Sequence, residues 1–198
     1  MMNFSVISGC TDKTLVKIDE RELALRLKTE VGYTNEEIEK CKTLLSEVVN
    51  CKYAFVKVPI DLSVESYVNL GFATVKSADL YKNLKGCKEA IVFAVTLGLE
   101  VDRLLNRLDL LSTSRHFITD AISSAMAESY CDYVNQMLSR DFKTKPRFSA
   151  GYGDLSLEIQ SDVLRVLSAD KTLGITLNQS LLMTPVKSIT AIMGVLDN

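Results

Sequence analysis

The chain has 198 residues, 47% of them hydrophobic and 24% charged, with a net charge of -2; this is enough apolar material for one sizeable core. A near-neutral balance without runs of Lys or Arg leaves no electrostatic footprint for nucleic acid or anionic lipid. Five scattered cysteines (10, 41, 51, 87 and 131) with no Cys-x-x-Cys pair argue against a disulfide framework, and the lone His116 rules out a multi-histidine zinc site.

The N-terminal region, about 1–50, reads as helical. Leu23, Leu25 and Leu27 among charges predict a helix over 19–30, stopped near Gly32. A capping box of Thr34 with Glu37 then predicts a second helix over about 35–50. Its apolar face carries Ile38, Cys41, Leu44, Leu45, Val48 and Val49 at helical spacing. Tyr53 to Ile60 is β-rich and closes on a proline, which predicts a strand.

Asp79 to Leu84 predicts a short helix closed by Gly86, and Glu89 to Thr96 is an apolar run between turn signals, as a buried strand would be. The Thr96-Leu97-Gly98 turn feeds a helix over about 99–109, which gives way near Ser112 to a long helix reaching Ser139. Pro146 ends any continuation. Ser156 to Leu167 predicts a further helix with Ser156 as N-cap, and the tail from Thr176 to Val195 supplies two strands. Helices and strands mix without a βαβ repeat, so the expected fold is a single α+β domain over 1–198, with helices packed on a largely antiparallel sheet.

No basic, apolar and small-residue leader opens the chain, and its longest apolar run, Ala90 to Val95, is too short to span a bilayer. The cytoplasm is the expected compartment, with neither membrane nor nucleic acid as a partner. No Walker loop, Rossmann fingerprint or nucleophile elbow is present, and His116, inside a helix beside Arg115, reads as a helix-surface histidine.

What stands out is Arg147-Phe148-Ser149-Ala150-Gly151-Tyr152-Gly153-Asp154. Glycines at 151 and 153 allow positive φ and close approach of the backbone to a small molecule, while Arg147 presents a permanently charged fork suited to a carboxylate. Upstream, a helical wheel places Phe117, Ile118, Ala121, Ile122, Ala125, Met126, Tyr133 and Met137 on one arc, with Glu128 and Asp132 falling within it. A carboxylate there must be paired or face a cleft. Two readings stay open: a structural ion pair at a rim, or acids facing the Arg147 loop to bind the ammonium of an amino-acid ligand. Downstream, Ile189 to Val195 reads as a core strand, with Lys187 and Ser188 as candidate polar contacts at its start and Pro185 just before it.

The Arg-x-x-x-Gly-Tyr motif of Arg147, Gly151 and Tyr152, followed by the spacing of Ser180, Met183, Pro185 and Ser188, resembles the activation (reactivation) domain of cobalamin-dependent methionine synthase. The likeness covers about 90–198. It departs from the family where Gly153-Asp154-Leu155-Ser156 replaces a Pro-Ala-Cys-Pro type of segment, and where Ala191-Ile192-Met193 replaces Gly-Trp-Tyr. The resemblance implies an α+β domain with a twisted antiparallel sheet that binds S-adenosylmethionine through Arg147, Ala150, Gly151, Tyr152 and Glu128. Gly153, Asp132, Pro185 and Ser188 are candidate cleft-lining positions, and no metal ligand is implied. It also implies a free-standing component of a methyltransferase: cobalamin sits on a separate corrinoid-binding methionine synthase subunit, an electron donor such as flavodoxin reduces cob(II)alamin, and S-adenosylmethionine remethylates it. Service to another corrinoid methyltransferase, or a non-catalytic small-molecule-binding module, are the alternatives.

Overall fold

The computed structural model describes residues 4–196. Its organising element is the strand β5 (Glu89–Thr96), whose residues from Ala90 onward are all buried. Side chains alternate along it: Ile91, Phe93 and Val95 join one hydrophobic cluster, and Ala90, Val92 and Ala94 join a second. A strand covered on both faces needs no polar alternation, which is why its sequence is a continuous apolar run. It sits inside an antiparallel sheet of order β1 (Ile7–Thr11), β2 (Cys51–Pro59), β5, β8 (Ser188–Val195).

One face carries α1 (Glu20–Leu27), α2 (Glu36–Val48), α4 (Leu99–Leu111) and the 29-residue α5 (Thr113–Asp141). The other carries the hairpin β3 (Tyr67–Asn69) and β4 (Thr74–Lys76), the short helix α3 (Ala78–Leu84), α6 (Ile159–Val166) and α7 (Ala169–Thr172). A small hairpin, β6 (Thr176–Leu177) with β7 (Met183–Thr184), precedes β8. The α+β class and the mostly antiparallel sheet are those the sequence predicts.

The element boundaries follow local chemistry. Asn35, not Thr34, caps α2, its side chain accepting from the Ile38 amide at 2.9 Å. The Thr34 hydroxyl instead donates to Glu39 at 2.6 Å, and Glu37 pairs with Arg115 of α5 at 2.8 Å, so the expected capping box does not form. The first helix ends at Leu27, with Lys28 in the left-handed region, before Gly32 is reached. Ser112 terminates α4 and caps α5, its hydroxyl accepting from the Arg115 amide. The helix expected from Ser156 begins instead at Ile159, because the Ser156 hydroxyl accepts from Glu158 in the preceding turn. β1 and the β3–β4 hairpin carry no alternation long enough to be read from sequence, and the tail yields three strands rather than two.

Helix α5, roughly 43 Å long at 1.5 Å per residue, is buried along Thr119, Ile122, Met126, Tyr130, Val134 and Leu138. This corrects the sequence-derived arc: Phe117 is 53% exposed, while Glu128 is half-buried and Asp132 exposed, so the two acids border the packed stripe rather than lie in it. Beyond β8, residues 143–148 run alongside the sheet. The Leu196 amide donates to Lys143, the Lys145 amide to Gly194, and Phe148 and Ile192 exchange two backbone hydrogen bonds of 2.8 Å. Alternation then sends Phe148 into the α6 cluster and Arg147 toward α5.

Phe93 is fully buried in the central strand. Phe93→Ala is expected to destabilise the fold by about 3–5 kcal/mol, read from the shift of the urea unfolding midpoint; a loss below about 1 kcal/mol would contradict the two-faced burial described above.

Candidate functional site

The 147–154 loop leaves the sheet edge as extended backbone and turns back on itself. Gly151 and Gly153 take φ values of +83° and +53°. The Gly151 amide donates to the Leu155 carbonyl at 2.9 Å and that of Leu155 to the Tyr152 carbonyl at 3.0 Å. A side chain at 151 would press on Leu157 at 3.0 Å and one at 153 on the Asp79 carboxylate, side chains that can give way, so it is the positive φ at both positions that favours glycine. The two glycines lift Tyr152 out of the surface, 65% exposed.

Beneath it lies a cleft of about 340 Å³. Its walls are Arg147, Phe148, Ser149, Ala150 and Tyr152 from the loop, Glu128 from α5, Gln160 from α6, Met183 from β7, and Ser188, Ile189 and Thr190 from the start of β8. The Arg147 guanidinium, three-quarters buried, donates through Nη2 to Glu128 Oε2 at 3.1 Å and through Nη1 to Asp132 Oδ1. Spacing of four residues on α5 sets both carboxylates on one side of the helix, where a single fork reaches both. Burial works against the Arg147 charge, but the acidic groups around it, Cys131, Asp132 and Glu128, outweigh that and raise its pKa. Below the cluster, burial pushes the Cys131 thiol up to about 12.

The floor is held by polar ties between layers. Lys187, nearly buried, donates to Asp120 Oδ1 and Ser124 Oγ of α5, both at 2.7 Å, fixing the start of β8 against the long helix. The Ser188 hydroxyl lies 2.7 Å from the Pro185 carbonyl and 2.8 Å from Thr96 Oγ1, so it is committed within the fold although its residue lines the cleft. Asp154, at the loop's far end, accepts from Ser77 Oγ and from the amides of Ala78 and Asp79 at 2.7 and 3.2 Å. The Ser77 hydrogen bond and these amides hold its carboxyl below the usual range against the opposing effect of burial.

Of the positions singled out from sequence, Arg147, Ala150, Tyr152, Glu128 and Ser188 line the cleft. Gly151 shapes the loop from behind, Asp132 stands outside the cleft and meets Arg147 from its exposed side, and neither Gly153 nor Pro185 is part of the lining. His116 packs back on α4, its Nδ1 3.0 Å from the Leu105 carbonyl. Sequence reasoning missed Gln160, 5% exposed with its amide nitrogen 3.4 Å from the Leu181 carbonyl. A polar residue one turn from Val163 and Leu164 on the buried face of an amphipathic helix was the available signal.

No family model matches this chain, and no curated protein matches it. Among solved structures, a crystal structure of the MetH reactivation domain bound to AdoHcy is similar, with a TM-score of 0.74 and 13% sequence identity over 97% of this chain and 78% of that one. At such identity the likeness is one of fold. No helix among the described residues is long and apolar enough to cross a membrane, and no group of three or more His, Cys, Asp or Glu among them is arranged to hold a metal ion.

Two outcomes are expected from this geometry. The Asp132 side chain is 61% exposed, so Asp132→Asn is expected to cost no more than about 1 kcal/mol in urea unfolding despite the ion pair; a substantially larger loss would show that the pair is shielded from solvent. Among the described cysteines Cys10 alone is exposed. Iodoacetamide at pH 8, mapped by peptide mass spectrometry, is therefore expected to modify Cys10 and spare Cys131, whose thiolate forms only near pH 12.

Proposed function

We propose that this protein binds S-adenosylmethionine in the Arg147 cleft and acts as an activation component for a cobalamin-dependent methionine synthase. The observation that carries the reading is the Arg147–Glu128 pair in the wall of a cleft whose remaining lining mixes polar and apolar side chains. An α-amino acid brings a carboxylate and an ammonium on one carbon. Its ammonium can replace the guanidinium at Glu128, and its carboxylate can take N–H donors of the Arg147 fork that neither acid uses. A ligand lacking the ammonium would have nothing to offer Glu128 in exchange for the guanidinium.

The rest of the chemistry fits the same ligand. Glu128 and Asp132 together outnumber Arg147 in charge, and S-adenosylmethionine carries an ammonium and a sulfonium against one carboxylate, so the surplus charges have opposite sign. Met183, Ile189 and Phe148 offer apolar surface for the methylene chain and the purine, and Tyr152 a flat exposed ring beside them. The similarity of the fold to a reactivation domain bound to AdoHcy supports this reading.

In this reading the corrin would belong to a separate corrinoid-binding partner, an electron donor such as flavodoxin would supply the reducing equivalent, and the reduced corrinoid would supply the nucleophile for methyl transfer. The chain's own residues bind and orient: Arg147 and Glu128 fix the amino-acid end, and the 150–152 backbone and Tyr152 border the open side on which a partner would dock. No side-chain base is required for a transfer of this kind. The single histidine, engaged with the Leu105 carbonyl, lies outside the cleft lining.

Calorimetric titration of S-adenosylmethionine and S-adenosylhomocysteine into the wild type and Arg147→Ala tests the proposal. Wild-type binding that weakens by roughly tenfold or more in the variant, the loss of one charge-assisted contact, is expected. Equal affinity in both proteins would remove Arg147 from the site, and absence of wild-type binding to either ligand would overturn the reading.

A further inference from the structure

Besides the sheet edge and the Arg147 ion pairs with α5, the 147–154 loop is held at both of its ends by α3. Asn83, in the helix's last turn, donates through its side-chain nitrogen to the Pro146 carbonyl at 3.2 Å, immediately before Arg147. At the opposite end, Asp154 gathers the Ser77 hydroxyl and the Ala78 and Asp79 amides, with Oδ1 shared by Ser77 and Asp79 and Oδ2 taken by Ala78. Gly153 lies directly against the Asp79 side chain, which would have to move to admit a β-carbon. Between these ends the helix is anchored by Leu80 and Leu84, both fully buried. Ser77 is itself 1% exposed, and its hydroxyl also accepts from the Leu80 amide at 3.0 Å. The donor group that Asp154 meets is therefore a rigid part of the α6-side core.

Asp154 does not line the cleft. It stands two residues from Tyr152 and four from Ala150, across a turn whose two glycines would otherwise give the backbone wide conformational freedom. A carboxylate accepting three hydrogen bonds, two of them from backbone amides fixed by a helix, removes that freedom at the free end of the loop. We propose that Asp154 is a positioning residue: by docking the end of the 147–154 loop on α3 it sets where Tyr152 and the Ala150 backbone stand over the cleft, without touching the ligand itself. The inference rests on the S-adenosylmethionine reading for its functional consequence and on the Asp154 contacts alone for its structural one.

The test compares wild type, Asp154→Ala and Asp154→Asn in two measurements on the full chain: calorimetric titration of S-adenosylhomocysteine, and amide hydrogen exchange followed by mass spectrometry. Loss of the tether is expected to weaken S-adenosylhomocysteine binding by roughly tenfold in Asp154→Ala and to a smaller extent in Asp154→Asn, which keeps one acceptor oxygen. Exchange is expected to quicken in residues 149–155 while helix α4, on the other face of the sheet, keeps its wild-type rate. Exchange that rises equally in α4 and in the loop would mark a general loss of stability and overturn the positioning role, as would wild-type affinity in Asp154→Ala. Should the wild type bind no S-adenosylhomocysteine, the functional reading fails by itself, and exchange confined to 149–155 still establishes the tether.

Discussion

Strand β5 has no face to spare for water, and the architecture of the cleft follows from that constraint. With Ile91, Phe93 and Val95 on one side and Ala90, Val92 and Ala94 on the other, both faces must be covered, so helices pack above and below the sheet. The sheet can then grow only at its edges. At one edge stands β1, and beyond β8 at the other runs the 143–148 segment, joined to it by backbone hydrogen bonds. The side-chain alternation of that added segment, inherited from the sheet, decides that Phe148 enters the core while Arg147 turns toward α5. The cationic residue of the cleft is thus placed by the same pleat that buries the core.

A guanidinium held three-quarters buried carries a desolvation cost that two carboxylates offset. Glu128 and Asp132 differ in how they do so. Glu128 shares the cleft with Arg147, whereas Asp132 meets the fork from the solvent side. In the proposed function the inner pair is the one a zwitterionic ligand would exchange with, while the outer carboxylate would keep the arginine satisfied and oriented. Lys187, reaching from the start of β8 to Asp120 and Ser124, ties α5 to the sheet beside this pair. Of the two readings of the helix acids the structure shows the ion pair, and the proposed function uses that same pair as the feature complementary to an amino acid.

Much of the fold was legible in the chain. The apolar run at 89–96 announced a strand buried on both faces, Ser112 marked the junction of two helices, and the Gly-Tyr-Gly turn after Pro146 announced an exposed loop. The readings that failed were contests between local partners. Thr34 and Asn35 both stood ready to cap α2, and the winner depended on Glu37 being drawn away to Arg115, a residue on another helix. The wheel of α5 placed Phe117 inside because apolar periodicity cannot tell which apolar residues find a partner, and none covers that end of the helix fully. Two- and three-residue strands such as β3, β4, β6 and β7 carry no periodicity to read at all.

Residue types and short-range spacing determined what the sequence could decide alone: the α+β class, the long helix, an arginine beside a glycine-bracketed tyrosine, and two acids four residues apart. These are properties of neighbours along the chain, where backbone geometry imposes fixed periods. Only the tertiary structure decided that Arg147 faces Glu128 and Asp132, that Gln160 borders the same cleft, and that Asp154 docks on α3 outside the cleft lining. Those are meetings of residues 15 to 77 positions apart, set by strand register and layer packing, and no local period encodes them.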